Sequence, residues 1–493
     1  MNPSPTYLIG SPRLNDIWVD PVAGRDHADG SSRSAAFKSI QAAWKRLKEN
    51  DASAERGFRF LLCPGVYAVD ADGHINLTHR RGTAAAPILL QPADGPHSVQ
   101  LPPLDIEYCS YVYLQDLKIV SPNLPHIPSS TDNVIHFAEC DHILLRGVVG
   151  IGEDTPVLPR IVLKANQCSH LYIEDCDFSG ATAYVFAYVA VHYGHIVRSK
   201  FRRSNFAGLC VKGGSAYQLI AGNEIDDCRI VGIEAGEGTG FPYLVPPWLQ
   251  YEAYYTKVVN NVICNSGNGV CIGGGYNILV AFNTLYRVGA CRDALIVALG
   301  THGWVDGAAA VCEGYHKQGG WCVPGGDTFI PNRNIQIVNN VVFNPDGFES
   351  RFAHFGISGP KPAAANSNVP DPICTTELRI EGNVIWNGGP GKPVLDDVEN
   401  EYGLAAKPTF SVEDLRRNNH LNTLRPELID AAGGNFHPRA EGNLIGIKLV
   451  KIHDFSADDP HHPPGPVGEL DNAILTDRSG KDRRGGCIGA FTA

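Results

Sequence analysis

The chain has 493 residues, 43% of them hydrophobic and 19% charged, a globular balance that excludes general disorder. Its net charge of −11 excludes a non-specific nucleic-acid binder, and any polyanionic substrate would need a local basic patch. No apolar run approaches ~18 residues, and "MNPSPTYLIGSPRLND" lacks a basic-then-apolar leader, so no membrane partner and no secretory signal are expected.

From the N-terminus, "SSRSAAFKSIQAAWKRLKEN" (31–50) sets Phe37, Ile40, Ala43, Trp44 and Leu47 at helical spacing after a serine-rich start. The spacing predicts an amphipathic helix near 35–48, placed to cover an exposed strand edge. Next, "YCSYVYLQDLKI", "ECDHILLRGVVGI" and "QCSHLYIEDCDF" repeat a cysteine at Cys109, Cys140 and Cys168. Further on, the form apolar-x-x-Asn-x-apolar recurs. "LIAGNEI" places Asn223, "KVVNNVI" Asn261, "LVAFNTL" Asn283, "QIVNNVV" Asn340 and "RIEGNVI" Asn383, while Cys176 and Ser199 take the slot in two earlier copies. The base step is 22–24 residues, and three intervals are enlarged by insertions.

Such a period means a solenoid or a propeller. Each unit carries two or three short β-rich runs separated by Gly, Ser, Asp or Asn, with no helical run between them. The expectation is therefore an all-β right-handed parallel β-helix over 1–400, with its N-terminal cap and with stacked asparagines at one corner. Residues 401–493 form an irregular, proline-rich segment packed on it, whose end "DRSGKDRRGGCIGAFTA" returns to close a side. The 14 cysteines fall mostly in strand-like segments, with no CxxC pair and no zinc spacing. They are expected to be reduced and buried, with no metal and no cofactor. That fits a cytoplasmic protein, or one secreted by a route not visible in the sequence.

Three stretches, "IWVDPVAGRDHADGSSRSAAFKSIQAAW" (17–44), "LLCPGVY" (61–67) and the closing "DRSGKDRRGGCIGA", resemble the opening and ending of carbohydrate-active parallel β-helix proteins, among them polysaccharide lyases and some glycoside hydrolases. More narrowly, "LKANQCSHLYIEDCDFSG" is similar to the lysine-bearing strand of the chondroitinase B and alginate lyase family. That resemblance implies Lys164 as a catalytic base, assisted about one coil later by an arginine and often by calcium held on preceding acids. This chain has "PRIV" before the lysine and His192 in the next coil.

Spacing singles out a wider set. Lys164, Tyr188 and Lys212 are one coil step apart, which would set the two lysines ~10 Å apart on one wall. Lysine serves as a base when its pKa is lowered; His192 and His195, in "HYGH", are the usual acid or base near neutral pH. The insertion "EAGEGTGFPYLVPPWLQYEAYY" supplies Glu234, Glu237 and Glu252 beside Tyr243, Trp248, Tyr251, Tyr254 and Tyr255. Carboxylates beside aromatics suit sugar rings, although a packed Ω-loop has the same composition. A second insertion, 286–331, brings Arg287, Arg292, Asp293, His302, Trp304, Asp306, His316 and Trp321, and the two are expected to wall one cleft. The leading expectation is β-elimination on a uronate-containing glycan, with Lys212 or Lys164 as base and Tyr188 or His192 as acid. The alternatives are a glycoside hydrolase using two of the carboxylates, an isomerase or cyclase acting on a small molecule in the same cleft, and a non-catalytic glycan-binding β-helix.

Overall fold

Each coil consists of short strands joined by tight corners, and consecutive coils pair in parallel in all three sheets. The chain is a right-handed parallel β-helix. The computed structural model describes residues 5–48, 55–70, 73–121, 133–152, 159–303, 309–323, 327–365, 367–396, 411–456, 470–483 and 486–492. The expected boundary at 400 lies outside them. Two compact units emerge: Pro5–Ala187 with Val191–Asn205, and Tyr188–Ala190 with Phe206–Ala493. Among the described residues no helix is long and apolar enough to cross a membrane.

In the N-terminal unit the first sheet includes Ser110–Gln115, Asp141–Arg146, Ser169–Glu174 and His192–Val197; the second includes Val149–Ile151, Asp177–Ala181 and Lys200–Ser204. The third runs through Ile75–Thr78, Leu104–Glu107, Asn133–Ala138 and Ile161–Asn166. Strand alternation sends every second side chain inward. Phe137, Phe178 and Phe201 therefore fill the interior, the last two with ring centres 5.8 Å apart. The capping helix is shorter than its periodicity predicts, covering only Ile40–Lys45. Phe37 instead forms a bridge to Val19, and Asp26 accepts from the Lys38 and Ser39 amides, so the chain is held extended until the Ser39 cap.

In the C-terminal unit the third sheet, which positions the site described below, contains Ala207–Lys212, Val231–Ala235, Val270–Gly273, Leu295–Ala298 and Phe355–Ile357. At the corner after the first sheet the expected asparagines form one buried ladder. The Asn223 amide donates to Asn261 Oδ1, Asn261 to Asn283, and Asn283 to Asn340, each at 2.9 Å; Asn340 and Asn383 continue the series to Asn419. Each corner hands a backbone N–H along the stack, and the next coil's side chain accepts it. In the N-terminal unit Ser199 Oγ does the same for the Cys176 amide, and at the corner before the first sheet Cys168 Sγ accepts from the Cys140 amide. A second ladder, Asn344–Asn387–Asn422, serves another corner.

The C-terminal segment packs Leu428, Phe436, Leu444, Ile488 and Phe491 against Val262, Tyr286, Val341 and Val384. Its last stretch is tied down by Arg483, which donates to Asn260 and to the Gly489 carbonyl. Twelve cysteines are free and nine of those are buried. The exception to the expectation of reduced cysteines is a disulfide between Cys312 and Cys322, in the second insertion and not at a repeat position.

Candidate functional site

On the strand Ala207–Lys212, Leu209 and Val211 face the core, so Cys210 and Lys212 face outward. Parallel pairing sets Cys210 beside Glu234, and Glu234 beside Cys271. The outer face of this sheet thus carries a short polar column. After Ala235 the chain turns at Gly236 with φ +81°, where an added Cβ would meet the Gly273 carbonyl oxygen at 2.1 Å, so glycine is required. The turn swings Glu237 back over the column, where its Oε2 lies 2.5 Å from Lys212 Nζ.

Glu252, fully buried, accepts at Oε2 from the Gly213 amide (2.9 Å) and from Thr239 Oγ1 (2.7 Å). Its Oε1 lies 2.9 Å from His302 Nε2, on an equally buried ring. His302 and Thr239 are paired residues of a small outer sheet, Gly238–Thr239 with Gly300–His302 and Thr328–Ile330. That sheet joins the two insertions, as do Phe241, Leu244 and Leu249 packing on Cys312, Cys322 and Tyr315, and the Tyr251 and Trp321 rings 4.8 Å apart.

The electrostatics follow from burial. Desolvation pushes the Glu234 carboxyl well above the usual range, and the neighbouring Glu237 charge adds to it; Lys212 and Cys210 oppose without winning. For Lys212, burial alone would lower the pKa, but Glu237 outweighs it and the net shift is upward. The shift runs opposite to the lowering under which a lysine serves as a base. Burial and the same carboxylates push the Cys210 thiol up, so it is not a thiolate nucleophile. The site thus sets a carboxyl group whose pKa is pushed up by burial, Glu234, beside a second carboxyl group, Glu237, that is ion-paired with Lys212. Cys210, Glu234 and Glu237 offer atoms within 4.8 Å of one another for a cation, but Lys212 already supplies the positive charge there.

Of the residues singled out by sequence, Lys212, Glu234, Glu237, Glu252 and His302 come together. Lys164 lies half-buried beside His136 in the N-terminal unit, and His192 opens the strand His192–Val197 there. Tyr188 is fully buried, so it has no surface for contacting a sugar. Trp248, Tyr251 and Tyr254, expected to bind substrate, are buried too: Tyr254 Oη accepts from the Gln250 and Tyr251 amides, and the three rings pack edge to face. They build the loop instead of offering ring faces. Arg287 stacks over Phe348 at 3.9 Å, Arg292 pairs with Asp396 at 2.7 Å, and His316 contacts the Cys322 carbonyl oxygen at 2.8 Å. Trp304 and Asp306 lie outside the described residues. Cys210 and Thr239 were not anticipated, although Cys210 stands one coil step before Glu234 and two positions before Lys212, a legible signal.

No family model matches the chain and no curated protein matches it. Among solved structures it is similar to pectate lyase Pel9A, at 15% identity and a TM-score of 0.43 over 98% of this chain and 97% of that one. It is also similar to XylC, solved with xylose, at 10% identity and 0.49 over 97% and 98%. A third is the A-module of the Azotobacter vinelandii mannuronan C-5 epimerase AlgE4, at 13% identity and 0.39 over 76% and 99%.

Proposed function

We propose that this protein is a carbohydrate-active enzyme that cleaves a glycosidic bond at the Glu234–Glu237–Lys212 cluster. The observation that carries the reading is a pair of adjacent carboxyl groups in unlike surroundings: Glu234 is buried and its pKa pushed up, whereas Glu237 is partly exposed and ion-paired with Lys212. Glu234 is the acid that protonates the leaving oxygen, and Glu237 is the carboxylate that acts at the anomeric carbon. Their nearest oxygens lie within 4.8 Å of one another, close enough for both to act on one glycosidic bond. Lys212 pairs with Glu237 at 2.5 Å, and these two side chains, 15% and 20% exposed, are the open part of the cluster. The buried Glu252 fixes the Gly213 turn and Thr239, and so the frame in which Lys212 sits. Nothing in this chemistry calls for a cofactor.

A second reading is favoured by the ammonium state of Lys212. In β-elimination on a uronate it would neutralise the substrate carboxylate, with Glu237 taking the C5 proton and Glu234 protonating the leaving group. One experiment separates the two. The protein is incubated with a panel of neutral and uronate-containing polysaccharides, and both reducing ends and the ultraviolet absorbance of unsaturated uronate are followed. Reducing ends without absorbance are expected for hydrolysis, whereas absorbance rising in step establishes elimination. Glu234→Gln and Glu237→Gln should each lower turnover by roughly 10²-fold or more. Undiminished activity in both variants overturns the site. No activity on any glycan returns the protein to the small-molecule or binding readings.

A further inference from the structure

The outer face of the first sheet in the N-terminal unit carries a cluster that the proposed chemistry does not use. Asp141 and Ser169 are paired first residues of adjacent strands, so His142 and His170 occupy the same step of consecutive coils. Both histidines have left-handed backbones, φ 54° and 55°, a conformation uncommon outside glycine. It brings their rings together, centroids 4.2 Å apart and 11° from parallel. Tyr111 stacks on His142 at 4.3 Å and Tyr193 on His170 at 5.1 Å, walling the pair on both sides. Both Nδ1 atoms face one carboxylate: His142 at 2.5 Å from Asp141 Oδ2 and His170 at 3.1 Å from Oδ1, while Ser169 Oγ bonds to Oδ1.

We propose that Asp141, His142 and His170 form a binding site for a borderline divalent transition metal, of the Zn2+ class, that clips two coils together. The donor set argues for this class. Two imidazoles and one carboxylate suit zinc, nickel or copper, whereas calcium and magnesium take oxygen ligands. The three donor atoms lie within 4.8 Å of one another. Closing them onto a metal at about 2.0–2.2 Å requires the two imidazole planes, now 11° from parallel, to turn so that both Nδ1 lone pairs converge on it. The side chains are 23–43% exposed, which leaves them that freedom and leaves further coordination positions open to water. Ser169 holds the carboxylate in orientation, the part an outer-shell hydroxyl plays at a metal site.

The test is calorimetric titration of the whole chain with ZnCl2 and, separately, CaCl2, without reductant so that Cys312 and Cys322 stay joined. Saturable one-to-one Zn2+ binding is expected, with no matching Ca2+ isotherm. His142→Ala and His170→Ala should each weaken Zn2+ binding beyond about 100-fold, and Ser169→Ala by about 10-fold, since outer-shell losses alone cost 10- to 100-fold. Co2+ added to the parent should give the visible band of a low-coordinate site, absent in His170→Gln, a variant that keeps side-chain bulk if the alanine disturbs folding. A parent that binds no Zn2+, or a Zn2+ isotherm and Co2+ band unchanged by the histidine substitutions, overturns the proposal. Ca2+ binding that depends equally on both histidines overturns the metal class.

Discussion

Replacing Asn283 by alanine should destabilise the C-terminal unit by several kcal/mol. Asn283 Oδ1 accepts from the backbone amide of Asn261 at 2.9 Å and from its side chain at 3.0 Å, and its Nδ2 donates to the Val258 carbonyl at 2.8 Å. All of this is buried. Truncation strands the Asn261 N–H and removes a partner from the Val258 carbonyl, and each buried unsatisfied group costs about 1–3 kcal/mol. The expected loss is therefore about 2–6 kcal/mol, smaller where a water molecule enters the vacated space. Asn283→Ser should cost less, because Ser199 accepts a corner amide at 3.0 Å in the same structural role. Urea unfolding followed by tryptophan fluorescence and circular dichroism measures both variants. A loss under about 1 kcal/mol for Asn283→Ala, or no recovery with serine, would refute the view that the ladder is held by handing amides from coil to coil.

Asp293 is fully buried, and desolvation raises its carboxyl to about 6; its Oδ1 accepts from the Ala353 amide at 2.9 Å. A raised acid binds more protons folded than unfolded, so its contribution falls as pH rises from about 4 to about 6, by on the order of 3 kcal/mol. Asn keeps the amide acceptor without the charge, so Asp293→Asn should flatten that part of the stability–pH curve, and an unchanged slope would contradict it. Thiol titration of denatured, unreduced protein should find twelve reactive cysteines; fourteen would mean that Cys312 and Cys322 are not joined.

The solenoid was legible because a stacked corner imposes the same demand on every coil. The amide at Asn223, Asn261, Asn283, Asn340 and Asn383 needs an acceptor one coil away, and that need recurs as a residue type at a readable step. Coil spacing also singled out Lys212, though not Cys210 two positions before it on the same face. The capping helix was less so, because the periodicity of Phe37 reports burial, which its bridge to Val19 satisfies as well as a helix would. The grouping of the two insertions followed from their neighbouring coils, but their aromatic residues read equally well as sugar platforms or as a packed loop.

By itself, then, the sequence determined the coil, its ladder and the presence of Lys212, Glu234 and Glu237, because period and residue type are local properties of the chain. Only the tertiary structure decided what those groups are. The Lys212 pKa is pushed up because the Gly236 turn returns Glu237 to it, and the Glu234 carboxyl is pushed up because it is buried, with Glu237 beside it. Trp248, Tyr251 and Tyr254 became loop core because each other's ring edges and the Gln250 and Tyr251 amides claim them. Desolvation and pairing depend on what lies within a few ångströms, and those neighbours come from chain segments that no short stretch of sequence contains.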